Sequence, residues 1–352
     1  MKLPGSSNLP INLLANCFKY KSATYKFYWF LSVLDALESG SRIIEKRRIF
    51  SGMIAHSWYT VNYFHLSFGP QDKIESAIKL IKEVELISVD EKRDVVVQRL
   101  MASQRKETLS VLNYFDKQVP HWFLSPWFPQ ETSLRRIYSA TQRFENKALY
   151  ALHRDYIEIN PDWEEYLRIH AGILKAFCFW NLAIFLQSKN PNVPDIPNKL
   201  FRLPVRNNLT KQREFWDLVI DVDGPQECIY TGKKLAKGDF AVDHFVPHAF
   251  VSHDLIWNLI PVDAIANLRK GDGIPQKKYI NSFVDQQLKG IEIVTKKSPA
   301  NKCLEDYFTI FPNLTEILNF SDAAIKTRFV QVVEPLMTIA VNNGFQPMRP
   351  FV

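Results

Sequence analysis

No two cysteines in this chain form a CxxC pair. Cys17, Cys178, Cys228 and Cys303 are scattered over 352 residues, which excludes a cysteine-based zinc site recognisable by its spacing. Internal repeats and low-complexity tracts are also lacking. The stretch MKLPGSSNLPINLL at the N-terminus has neither a sustained apolar signal core nor a small-residue cleavage site, so a reducing, cytoplasmic setting is the expectation. No uninterrupted apolar run reaches the ~20 residues that a membrane span needs. The most apolar run, Ala171 to Leu186, contains Lys175 and Asn181 and continues an amphipathic pattern. It reads as a core helix, and no membrane is expected.

The residues that are present describe a folded, helix-rich protein. A hydrophobic share of 46% with 13% aromatics excludes a largely disordered chain, and the length allows one large domain or two. Lys and Arg number 44 against 37 Asp and Glu, a net charge of +7, which suits a polyanionic partner and equally suits plain solubility. Clustering says more. Arg202, Arg206, Lys211 and Arg213 form one run without acidic residues, and residues 263–302 hold eight basic and four acidic side chains.

The first 200 residues predict almost only helices. Phe27, Phe30, Leu31, Leu34 and Leu37 recur at helical spacing, and a second helix starts where Asp72 can cap it and Glu75 sits at the capping-box position. The segment VPHWFLSPWFPQ, with Pro120, Pro126 and Pro129, interrupts the helices and reads either as an exposed aromatic recognition loop or as a plug packed on the core. His121 in that segment is assigned no role. A long helix begins at Asn160 and Pro161, and its stripe of Trp163, Tyr166, His170, Ile173, Phe177, Trp180 and Ile184 is expected to form the centre of this domain. The Pro-rich run 188–204 is expected to sustain neither helix nor central strand. The expected organisation is therefore a helical N-terminal domain (1–187), a Pro-rich linker (188–208), a small mixed α+β module (209–275) and a helical C-terminal segment (276–352). The fold class is mainly α with that small α+β module.

The module carries the chemistry. Within the stretch Cys228 to Gly271, Ile229, Tyr230 and Thr231 suit a strand, Gly232 a turn, and Phe240 to His244 the returning strand. Asn258 follows in a loop, then a short helix that Asp263 can cap, Gly271 can end, and Asn267 rides on. Asp243 and Asn267 offer hard oxygen donors, suited to a divalent cation such as Mg²⁺ or Mn²⁺. Alternation along the strand turns His244 away from Asp243, where a neutral imidazole can take a proton from water. The amide of Asn258 can fix the loop or orient His244. Arg269 and Lys270 are placed to contact phosphates.

In this order and spacing the stretch resembles the HNH endonuclease family. Asp243, His244 and Pro247 form a DHxxP opening, with fourteen residues from His244 to Asn258 and nine from Asn258 to Asn267. Together with the CxYTG start at Cys228, these look like the HNH domains of RNA-guided CRISPR nucleases. The resemblance implies a ββα-metal fold that hydrolyses one nucleic-acid strand with a single divalent ion. Asp243 and Asn267 match its metal ligands, His244 its general base and Asn258 its orienting amide. Many such proteins brace the hairpin with a zinc held by two cysteine pairs. This chain keeps only Cys228 of that pattern, so no structural zinc is expected and the surrounding helices must hold the module. His248 and His253 match no catalytic position. Surface or phosphate contact is their default role, and substitute metal ligation the minor alternative.

The reading that follows is a metal-dependent endonuclease acting on DNA. RNA is left open as a substrate, because neither the base nor the ion requires a deoxyribose. The reading from another class is a subunit that binds nucleic acid or a partner and carries a vestigial HNH module. A nuclease of this kind with a large helical companion resembles bacterial defence or restriction components, in which a regulatory protein partner or a signal releases the activity.

Overall fold

The computed structural model describes residues 2–19, 22–201, 208–311 and 321–351. Two compact units emerge, Met1–Pro191 with Ile196–Leu203, and Asn192–Asp195 with Pro204–Val352. The architecture is mainly α with small antiparallel sheets.

In the first unit α1 (Ile11–Asn16) leads into α2 (Tyr25–Glu38). The expected face of α2 is buried, and so are Tyr28, Trp29 and Val33 between those positions. A helix buried on most of its sides belongs inside a unit, so α2 occupies the centre that the sequence assigned to the helix after Asn160. After β1 (Ile43–Glu45), α3 (Lys46–Asn62) packs on α2. The approach is close enough that a Cβ on Gly52 would lie 2.7 Å from Ser32 Oγ. Next come α4 (Ile74–Glu85), α5 (Arg93–Ala102), α6 (Lys106–Asp116), α7 (Pro120–Phe123) and α8 (Leu134–Gln142). The N-cap position falls to Lys73 rather than Asp72, and Asp72 just before it accepts from Ile74 N at 2.9 Å and from Thr24 N and Oγ1 at 2.6 and 2.7 Å, which ties α4 to the start of α2.

The strands β2 (Tyr150–Leu152) and β3 (Tyr156–Ile159) join β1 in the order β1-β3-β2, a small sheet the helical reading missed. Asn160 caps α9 (Pro161–Ile169) through Asp162 N. The backbone then leaves helical geometry at His170 (φ −101°, ψ 11°) before α10 (Ala171–Lys189) begins. This break changes the buried face. Leu174, Cys178, Leu182 and Leu186 point inward, while Ile173, Trp180 and Ile184 are exposed. The Pro-rich run also departs from expectation, since α11 (Ile196–Phe201) forms within it. Pro197 occupies the first turn, where a missing N–H removes no helical bond. Arg202 and Arg206 lie outside the described residues.

The second unit begins with α12 (Thr210–Asp223), which buries Phe215, Trp216, Val219 and Ile220 as their spacing predicts. The hairpin β4 (Gln226–Glu227) to β5 (Lys234–Leu235) follows, its turn closed by Gly232 at φ +72°. The strand β6 (Ala241–His244) does not pair with the Cys228–Thr231 segment. That segment is folded into the turn, where Gly232 N donates to Cys228 O at 2.8 Å. After α13 (His248–Val251), β7 (Leu259–Val262) supplies the partner instead, with Asp243 opposite Ile260 and His244 opposite Leu259. The helix α14 (Ala264–Lys270) then starts at Asp263, which accepts from Ala266 N, and ends at Gly271, both as expected. The helices α15 (Ile280–Lys297) and α16 (Asp322–Asn342) pack against each other, and α15 also packs on α12 and β7.

Helices on both sides satisfy the backbone around β7. Leu259 O accepts from Trp216 Nε1 of α12 at 3.1 Å and from Gln287 Nε2 of α15 at 2.9 Å. Gln287 also donates to Ile256 O and accepts from Tyr307 Oη at 2.6 Å. All of this is buried. Substituting Gln287→Leu strands the Tyr307 hydroxyl in the interior and takes one of two donors from each carbonyl, and urea unfolding of the variant should show a loss of about 1–3 kcal/mol.

Candidate active site

The unit β6-β7-α14 brings the polar residues of the module around one cavity of about 280 Å³. Asp243, His244, His248, Asp254, Asn267 and Lys270 line it. Antiparallel pairing fixes where β6 ends, so Asp243 and His244 emerge at the cavity from the strand's last two positions.

Asp243 is almost fully buried, and both of its oxygens have partners. Lys270 Nζ lies 3.0 Å from Oδ1, and Tyr230 Oη donates to Oδ2 at 3.0 Å. Burial, then the charge on Asp243, hold the Tyr230 hydroxyl well above its ordinary value, so it stays a donor. Lys270 Nζ also donates to His244 O at 2.6 Å. The sequence placed Lys270 at the phosphates. Its side chain is instead only 1% exposed and pairs α14 with β6. Arg269 does face solvent, with its guanidinium over the Phe351 ring. Asn267, on the same helix, is half-buried at the cavity, and its amide has no hydrogen-bond partner among the described residues.

His244 is oriented by a residue that the sequence reading missed. Its Nε2 lies 2.9 Å from Asp254 Oδ1, and His248 Nε2 lies 3.8 Å from the same oxygen. The available signal was an acidic residue in the same loop, ten positions after His244. Asn258, by contrast, does not line the cavity. Fully buried, it accepts from Val246 N at 2.9 Å and donates to Val246 O at 2.8 Å, while its own carbonyl accepts from Phe245 N. Of the two jobs open to this amide, the geometry selects fixing the loop, and it positions His244 only through the backbone. His253 packs against Trp257. Burial, followed by the charge on His244, pushes it down to about 4. Cys228 Sγ accepts from Asp263 N, helping to seat the start of α14.

Residues 228–276 match a family model described as HNH endonuclease. This segment is the HNH module. The match covers the turn after β4, both strands at the site and α14, which agrees with the family resemblance of the Asp243, His244, Asn258 and Asn267 spacing. No curated protein and no solved structure matched the chain.

The donors of the HNH module suit the divalent ion that such nucleases generally use. Asp243 and Asn267 bring hard oxygens to one cavity, and a carboxylate oxygen that accepts one hydrogen bond retains a second lone pair. A further donor group is present. Among the described residues, His244, His248 and Asp254 offer ligand atoms that lie within 4.8 Å of one another.

The buried ion pair makes the HNH module sensitive to either partner. Lys270→Ala leaves a buried carboxylate without its cation and should destabilise the protein by about 3–5 kcal/mol, whereas adding Asp243→Ala should recover much of that loss in the same denaturation experiment. His253 sets a pH dependence of known sign. Between about 4 and its ordinary 6.5, the unfolded chain binds a proton that the folded chain refuses, so stability falls as pH falls through that window. The shift corresponds to about 3 kcal/mol, and His253→Gln should flatten the slope of stability against pH.

Proposed function

We propose that the protein is a divalent-metal-dependent HNH endonuclease that hydrolyses phosphodiester bonds in DNA. The observation that carries this reading is the contact of His244 with Asp254 inside a cavity that Asp243 and Asn267 also line. With Nε2 bonded to an ionised carboxylate, the proton of a neutral imidazole sits on Nε2, and Nδ1 is left with its lone pair. Nδ1 takes the proton of the attacking water as the oxygen bonds to phosphorus and the bond to the leaving oxygen breaks. Asp254 faces the imidazolium that forms and keeps the ring in place. Asp243 and Asn267 would hold the divalent ion, which supplies positive charge to the phosphate and the leaving oxygen.

The substrate side rests on charge. The exposed Arg269 on α14 and the basic balance of the chain favour a polyanion. The group of His244, His248 and Asp254 supports a second reading of the ion site, in which His244 is a ligand and cannot serve as base.

One set of assays separates these readings. Purified protein with Mg²⁺ or Mn²⁺ should nick or cut plasmid DNA, and RNA offered in parallel reports on the sugar. His244→Ala should lower the rate by about 10²–10⁴-fold. Asp254→Asn should lower the rate with little change in KM, because it acts through the ring of His244. In calorimetry with Mn²⁺, Asp243→Ala should weaken metal binding while His248→Ala leaves it near wild type. The reverse pattern would move the ion to the histidine group, and unchanged cutting by His244→Ala would remove the nuclease assignment.

A further inference from the structure

The first unit contains concave sites of its own, and two of them contrast. The larger, about 650 Å³, is bordered by α2, α3 and α5, and its central charge is satisfied within the chain. Asp35 there holds His56 Nε2 at 2.7 Å and also pairs with Arg93 and Lys175. The other, of about 410 Å³, lies between the start of α2, the loop before α4, the end of α6 and α7. Four groups line it with no side-chain hydrogen bond or ion pair among the described residues: the ammonium of Lys26, the amides of Gln71 and Gln118, and the indole N–H of Trp122.

These four groups have complementary chemistry. Trp122 belongs to the Pro-rich aromatic segment, most of which is a plug, with Pro120, Phe123, Leu124 and Trp127 buried. Trp122 departs from that pattern. It is 55% exposed, and Tyr114, 38% exposed, lines the same cavity. Aromatic faces in such a position stack on any nucleobase. A glutamine amide donates and accepts side by side, which matches the N7 and N6 edge of adenine. Lys26 is half-buried with no ion pair among the described residues, and burial lowers its pKa, so a bound anion would offset the cost of holding an ammonium there. The volume lies within the range of small-ligand pockets, roughly 300–1,000 Å³.

We infer that this cavity binds a purine nucleotide, with the base stacked on Trp122, its edge read by Gln71 and Gln118, and its phosphate on Lys26. The same chemistry is presented by a free mononucleotide and by an unstacked base of a single strand. The site is separate from the HNH module and does not depend on the nuclease reading.

The test uses the full chain in EDTA, which keeps oligonucleotides intact. Tryptophan fluorescence and calorimetry follow titrations with AMP, adenosine, CMP, a short 5′-phosphorylated oligo(dA) and the matching duplex. AMP or oligo(dA) should bind saturably and more tightly than CMP or duplex. Trp122→Ala should weaken that binding roughly tenfold or more, Lys26→Met should erase the preference of AMP over adenosine, and Gln118→Leu should erase the preference for AMP over CMP. Saturation by AMP identifies a free nucleotide, whereas saturation by oligo(dA) alone identifies a strand. Trp122 and Gln118 are not core residues, so a circular-dichroism melt close to wild type should accompany these losses. Absence of saturable binding by every nucleotide up to millimolar concentration would overturn the inference. So would binding that is unchanged in both Trp122→Ala and Lys26→Met.

Discussion

The carbonyl of Leu259 is the point on which the second unit is fastened. It sits at the start of β7, opposite His244, and takes one hydrogen bond from Trp216 and another from Gln287. A two-stranded sheet is marginal by itself in water, and β6-β7 has only these two strands. The helices α12 and α15 therefore supply both apolar cover and polar partners for the backbone that a wider sheet would have satisfied internally. The stacking of Phe245 on Phe283 at 4.1 Å adds apolar contact between the loop after β6 and α15.

Much of this was legible from residue types. Apolar spacing located α2, α12 and the helical character of the C-terminal part. Asp263 and Gly271 bounded α14 because a cap and a left-handed stop are local chemistry, readable over a few positions. The HNH module was legible for a different reason, since the order and separation of Asp243, His244, Asn258 and Asn267 resemble that family, whose model matches residues 228–276. What escaped depends on contacts between distant positions. Nothing near β6 announces that its partner is Leu259–Val262 rather than the preceding segment. The pairing of Lys270 with Asp243 spans 27 positions and turns an expected phosphate contact into an interior cation. The break at His170 is a single non-helical residue without a proline, so a continuous stripe was extrapolated through it.

The site shows the same division. Asp243, His244 and Asn267 do meet at one cavity. Asn258 is bound to the loop instead, and Asp254 takes the place beside His244 that an orienting residue needs. An amide is well suited to the backbone of Val246, where it must donate and accept at once. On the proposed mechanism a carboxylate is the better neighbour for a ring that gains positive charge, so the two roles would fall to residue types that can perform them.

The ammonium of Lys270 has a further consequence. In small domains assembled by their metal, the ligands repel or stay solvated until the ion arrives, so folding and ion uptake are one event. Here the charge on Asp243 is compensated from within the chain, with a tyrosine hydroxyl completing the hydrogen bonding. The interior tolerates that carboxylate whatever the ion concentration. On the proposed reading, folding of the HNH module does not wait for the ion, and a chelator would act on its chemistry without dissolving its architecture.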